Sequence, residues 1–309
     1  MRHLNSKFDA LMILVAGSAN LDFVVRANHI PAPGETVLGF DFKTFPGGKG
    51  ANQAIACARA GGAETAMLLA LGEDAFAAPL EASLNEARVH LHIKRIATLP
   101  TGTAFICVSD DAENAITVAP GANLALDSAD LPSLEGVSHL LMQLETPMAA
   151  VIAYAQAAQA NGVKVALNAA PAQPLPCELL ALVDILIVNE GELAALTTAH
   201  GTLEDKLAQL QVPCVVVTLG SAGCIARAQG KLFTQPAYKV VAVDTTGAGD
   251  TFCGVLVAAL AAQGAGSQDW ANLAQALAQA SAAAALTCTQ MGAQNSIPTF
   301  SAVQALMQQ

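Results

Sequence analysis

The stretch DTTGAGDTFCG, residues 244–254, follows the β-branched run KVVAV at 239–243 and precedes the small-residue segment VLVAALAAQGAG at 255–266. This order predicts a strand, a glycine corner and a helix, with Gly247, Ala248, Gly249 and Asp250 at the corner. First-turn N–H groups and the positive end of the helix would face outward there and form an anion hole. A transferring phosphoryl group builds charge on its equatorial oxygens and needs such donors. Asp250, at the edge of the hole, can accept the proton of an attacking hydroxyl. The other reading is that Asp250 only caps the helix, a position that favours Asp. Local chemistry leaves both open.

Outward from this corner the chain alternates. Short β-rich runs at 11–16, 65–71, 163–167, 185–188, 214–218 and 239–243 are interleaved with Ala/Leu/Gln-rich segments at 148–160, 203–210, 252–262 and 269–286. Apolar strands alternating with helices predict an α/β fold with a mostly parallel central sheet flanked by helices. Segments 22–45 and 90–118 break the rhythm, with strand-like alternation cut by Pro and Gly and no helix between. We expect them to form a small β-sheet lid over one domain spanning 1–309, or a contact between two copies, or both.

Ligands of open α/β sheets bind outside the carboxyl ends of the strands. Here those ends carry Asn20 and Asp22, Asn168, Asn189 and Glu192, Thr218 and Gly220, and Asp250. Each alone is an ordinary turn residue; their recurrence suits a crevice for a polyol and a phosphate chain. A second glycine stretch, PGGKGANQA at 46–54, opens a helix whose first N–H groups can meet a hydroxyl or an anion, or is a plain turn with a solvated Lys49. Neither G-x-G-x-x-G nor G-x-x-x-x-G-K-[ST] is present, which argues against a nicotinamide dehydrogenase and a P-loop enzyme.

Composition narrows the partners. A net charge of −11 over 309 residues leaves no basic stripe for a nucleic acid. The 7 cysteines are scattered through apolar surroundings without a C-x-x-C pair, as in a protein of a reducing compartment. The N-terminal MRHLNSKFDALMILVAGSA has the outline of a secretory signal, but Asp9 interrupts it and its apolar core is short. No run is long enough for a membrane helix, so a cytoplasmic protein without membrane or nucleic-acid partners is expected.

GSANLD (17–22), GGKGAN (47–52), MQLE (142–145), NEGE (189–192), TLGSAG (218–223) and DTTGAGDTFCG (244–254) occur in this order. Together they resemble the ribokinase (PfkB-type) carbohydrate kinases, from about residue 11 to about residue 300. The resemblance implies ATP-dependent phosphorylation of the primary 5-hydroxyl of D-ribose; deoxyribose, another sugar or a nucleoside are the alternatives within the family, and a non-catalytic sugar-binding regulator lies outside it. It assigns Asn20, Asp22, Gly48, Lys49, Asn52 and Glu145 to the sugar. Asn189 and Glu192 are assigned to the phosphates and, through water, to Mg²⁺, and Thr218, Gly220, Gly223, Gly249 and Ser281 to ATP. Gly247, Ala248 and Gly249 become the anion hole and Asp250 the base. A K⁺ site would use Asp244, Thr246, Thr287, Gln290, Gly292 and Ser296. The sequence departs from the family at Ala169, where Pro is frequent, at Ser281, where Asn or His is common, and at Gln290, which replaces a basic residue. A homodimer through the lid sheets is implied.

Overall fold

The structure, a computed structural model, describes residues 12–111, 113–198, 201–263 and 270–308. The strands are β1 (Met12–Ala16), β2 (Asn20–Arg26), β3 (Phe40–Gly47), β4 (Thr65–Gly72), β5 (His90–Ile96), β6 (Gly102–Val108), β7 (Asn114–Ala119), β8 (Val137–Met142), β9 (Lys164–Asn168), β10 (Ile185–Asn189), β11 (Cys214–Thr218), β12 (Cys224–Ala228) and β13 (Lys231–Gln235). The α-helices are α1 (Lys49–Ile55), α2 (Ala77–Glu86), α3 (Met148–Ala160), α4 (Cys177–Leu180), α5 (Glu190–Leu196), α6 (Leu203–Gln209), α7 (Ala248–Ala261), α8 (Leu273–Thr287), α9 (Ala293–Ser296) and α10 (Phe300–Met307).

A 9-stranded sheet has the order β13-β12-β11-β10-β9-β8-β1-β4-β5, parallel from β11 to β5 and closed at its other edge by the antiparallel hairpin β12–β13. The side-chain alternation of its strands divides the core in two. Ile13, Val15, Met67, Leu69 and Val216 face a cluster that includes Leu80 of α2, Leu256 of α7, Leu277 of α8 and Val303 of α10. Leu14, Leu68, Val215 and Val217 face one that includes Tyr154 of α3, Leu179 of α4, Leu193 of α5 and Leu207 of α6. Burial on both faces explains why these strands read as continuous apolar runs.

From β1 the strand order runs one way through β4 and β5 and the other way through β8 to β11. The reversal between β1 and β8 is a topological switch point, where an open sheet leaves a crevice at its carboxyl edge. The second sheet, of 4 strands in the order β3-β2-β6-β7, starts at Asn20, just beyond the end of β1, and so stands at that edge.

Three expectations change. Segment 239–243 is no strand: Val241 is 87% exposed, and the chain is instead pinned where Val243 N donates to Cys288 O (2.7 Å). Residues 90–96 belong to the large sheet as β5, paired with β4, so the small sheet is built from β2 and β3 with 102–119. The helix read at 252–262 starts earlier, at Ala248. Strand β8, helix α2 and the β12–β13 hairpin had no counterpart in the reading of the sequence. Residues 1–11 of the signal-like segment and the start of the helix read at 269–286 lie outside the described residues, while residues 12–16 of that segment form β1.

Candidate active site

The residues expected to react gather at the switch point. Gly247 takes the N-cap of α7 in the left-handed region, φ 78°, with no side-chain cap. Asp250 therefore stands in the first helical turn and does not cap the helix, which removes the bland reading of that carboxylate. Its oxygens are held from α1 instead: Asn52 Nδ2 donates to Oδ2 and Gln53 Nε2 to Oδ1, each at 2.9 Å. Of the three residues expected to form the anion hole, Ala248 has its N–H turned to Thr245 O (3.2 Å). The first-turn N–H groups of Gly249 and Asp250 have no acceptor within their own helix, because it begins there. A Cβ built on Gly249 meets nothing within 4 Å, so open space lies over these donors.

That space is an open cleft enclosing about 170 Å³, lined by Lys49, Asn168, Asn189, Glu192, Thr218, Gly247, Gly249, Asp250 and Cys253, with Ala170, Ile187 and Val188. It brings together residues from the ends of β9, β10 and β11 with the starts of α1 and α7. Asn189 and Glu192 form the capping box of α5, with Glu192 N donating to Asn189 Oδ1 and Asn189 N to Glu192 Oε2, each 2.8 Å. The box fixes both side chains while they border the cavity. Thr218 donates to Val188 O at 3.4 Å.

The residues expected on the sugar side lie at the foot of the small sheet. Glu145 Oε2 accepts from Ser18 Oγ (2.5 Å) and Lys49 N (3.2 Å), tying the Gly48–Lys49 turn to the end of β1. Asn20 Oδ1 accepts from Asn123 Nδ2 (2.8 Å), whose own amide also bridges the Ala19 backbone. Burial, then the nearby carboxylates of Glu145 and Asp250, raise the Asp22 pKa to about 7. Lys49 stays more firmly protonated than an ordinary lysine, chiefly through Asp250 and then Glu145 and Glu192, against the opposing pull of burial. Burial outweighs the Asn189 N–H and the Lys49 charge and raises the Glu192 pKa. Asn52 Oδ1 is buried with no partner among the protein atoms.

The loop expected to hold K⁺ is partly assembled. Asp244 Oδ1 accepts from Thr246 N (2.9 Å) and Thr246 Oγ1 (2.6 Å), and Oδ2 accepts from Gly292 N (2.8 Å). Burial alone would raise the Asp244 pKa, but these bonds outweigh it and lower it. Thr287 Oγ1 instead donates to Ala283 O (3.1 Å) and shares a hydrogen bond with Thr251 Oγ1 (3.0 Å) inside the helix pair, and Ser296 donates to Ala293 O (2.9 Å). Gln290 sits in the turn after α8, its N–H directed at Thr287 O (3.4 Å). Gly220 and Gly223 shape the turn after β11 with φ of 56° and 102°, away from the cavity lining. Ser281 is buried beside Cys224 Sγ (3.8 Å) and is likewise absent from that lining.

Reading the sequence assigned no role to Gln53, Gln143, Asn123 or Ser18. Gln53 and Gln143 stand within the quoted stretches PGGKGANQA and MQLE, but an uncharged amide gives no chemical signal of its own until its partner is placed.

The match to known proteins is broad. The model of the pfkB family carbohydrate kinases matches residues 10–300. A ribokinase of Haemophilus influenzae is 38% identical over 299 residues, covering 93% of this chain and 95% of that protein. One of Bacillus subtilis is 35% identical, covering 96% and 99%. The structure of an Arabidopsis thaliana ribokinase complexed with ribose and ATP superposes with a TM-score of 0.88 at 34% identity, covering 97% of this chain and 99% of that one. With a first-turn aspartate facing a switch-point cavity and a family match over nearly its whole length, this chain belongs to the pfkB family of carbohydrate kinases.

Proposed function

We propose that this protein transfers the γ-phosphoryl group of ATP to the primary 5-hydroxyl of D-ribose. Asp250 takes the hydroxyl proton, the freed oxygen attacks the γ-phosphorus, and the bond to the β-phosphate oxygen breaks, giving ribose 5-phosphate and ADP. The observation that carries this reading is the Asp250 carboxylate, gripped from α1 and facing open space beside the free N–H groups of α7. The relatives support ribose as the acceptor, as does the ribose and ATP complex of the Arabidopsis thaliana protein.

Asp22, whose burial favours the neutral acid until donors approach, would accept from ring hydroxyls, with Asn20 and Asn52 as the neighbouring amides. Lys49 would counter charge beside Asp250. Among the described residues no cluster of three or more acidic, His or Cys side chains could hold a metal by itself. That fits Mg²⁺ held mainly by phosphates and waters, with Glu192 and Asn189 as its protein side. Mg²⁺, when bound, neutralises charge on the phosphates. Asp244 and Thr246 with Gly292 and its neighbours would hold K⁺ behind the anion hole. A homodimer through the small sheet fits its surface: Phe42 (62% exposed) and Phe105 (53%) lie on one face, and Ile116 (55%) with Val118 on the face that carries Asp22.

The test is ATP-dependent phosphorylation of ribose, deoxyribose, hexoses and nucleosides, with and without K⁺. Ribose should give the highest kcat/KM; a hexose or nucleoside preferred by about tenfold or more would replace ribose as the substrate and leave kinase activity standing.

A further inference from the structure

Gln53 is fully buried, yet it spends its amide on the reaction centre. Its Nε2 donates to Asp250 Oδ1 (2.9 Å) and to Asn168 Oδ1 (3.0 Å), and its Oε1 accepts from Gln143 Nε2 (2.7 Å). Asn168 Nδ2 in turn donates to the Ile187 carbonyl (3.1 Å). An ionised carboxylate and a backbone carbonyl can only accept, so they dictate every amide in this chain. Gln53 must present nitrogen to Asp250, its oxygen must face Gln143, and Gln143 must present nitrogen to it.

That order has a visible cost. Gln143 Oε1 is left buried without a partner. It sits where a Cβ on residue 17 would lie, 2.0 Å away, so glycine at that position makes the approach of β1 and β8 possible. A buried orphan acceptor is expensive. It persists here because the relay needs the other end of that amide. We infer that Gln53 is the positioning residue that aims Asp250 at the sugar hydroxyl, and that Gln143, at the switch point between β1 and β8, fixes which way Gln53 faces. The inference rests on the assignment of Asp250 as base.

The experiment compares the full-length protein with Gln53→Met, Gln53→Glu, Gln143→Met, the double Gln53→Met/Gln143→Met variant and Asp250→Asn. Thermal melting is measured for each, together with kcat and both KM values from about pH 5.5 to about pH 9. Gln53→Met should lower kcat by roughly 10- to 100-fold with ribose KM within about threefold, and should move the acid limb of the kcat profile to higher pH, because a donor to the ionised base is gone. Gln53→Glu donates only while protonated, so its kcat relative to the wild type should fall as pH rises. Gln143→Met should cost less, and the double variant should be no slower than Gln53→Met, since Gln143 acts through Gln53.

Folded Gln53→Met with wild-type kcat, a loss confined to KM, or an additive double variant would overturn the relay. If Gln53→Met does not fold, wild-type pH profiles in both Gln53→Glu and Gln143→Met do the same. Asp250→Asn separates the claims. An active Asp250→Asn removes the base itself, whereas an inactive one beside unaltered Gln53 variants removes only the relay.

Discussion

Gly247 and Gly249 stand two residues apart at the same helix start, and alanine at the two positions should have opposite effects. Gly247 has φ 78°, and a Cβ there would lie 3.0 Å from Ala293 Cα and 3.1 Å from Ala293 Cβ. The left-handed conformation alone costs an L-residue roughly 1–2 kcal/mol. At roughly 2 cal/mol/K per residue for a chain of this size, that lowers Tm by about 2–3 °C, and the crowding against Ala293 adds to it. Relieving the clash would rotate the first turn of α7 and its N–H donors, and a lost oxyanion-type donor lowers kcat by on the order of 100-fold. Gly249 is helical with open space around its Cβ, so alanine there should melt no lower than the wild type, and alanine is the better helix former. Its methyl would instead occupy room above the donors and lower kcat/KM for ATP by about tenfold. Differential scanning calorimetry and steady-state kinetics on both variants decide the matter. A Gly247→Ala protein with unchanged Tm and kcat would refute the reasoning.

Further outcomes follow from the charges and surfaces. With an Asp22 pKa near 7, ribose KM should rise about tenfold as pH falls from 8 to 6, because sugar hydroxyls donate to the ionised form; a flat KM in the wild type would contradict this. The same shift makes the contribution of Asp22 to stability fall as pH rises from 3.8 to about 7, where the folded chain keeps a proton that the unfolded chain has released. Asp22→Asn should flatten that slope in urea titrations. Phe42→Glu with Phe105→Glu should give monomers in sedimentation analysis if the small sheet joins two copies, and unchanged mass would discard that interface.

The large sheet was legible because its strands are buried on both faces, so 65–71, 185–188 and 214–218 read as strands from hydrophobicity alone. The same rule misplaced 239–243, where β-branched residues are exposed and anchored by one carbonyl, and alternation put 90–96 in the small sheet although it pairs with β4 of the large one. Within the site, charge made Asp22, Lys49, Glu192 and Asp250 conspicuous. Gln53 and Gln143 were silent because their contacts to Asp250 and to each other span 197 and 90 residues, and nothing local announces such pairings. That Asp250 does not cap the helix was also beyond local sequence. It turned on Gly247 taking the cap and on α1 supplying the amides.

The most direct test of the account is the rate of ATP-dependent ribose phosphorylation by Asp250→Asn beside the wild type, with ribose and ATP binding measured by calorimetry. The substitution keeps the shape of the site and removes the proton acceptor, so kcat should fall by on the order of 100- to 10,000-fold while both ligands still bind. Turnover close to that of the wild type would contradict the assignment of Asp250 as the base on which the proposed reaction depends.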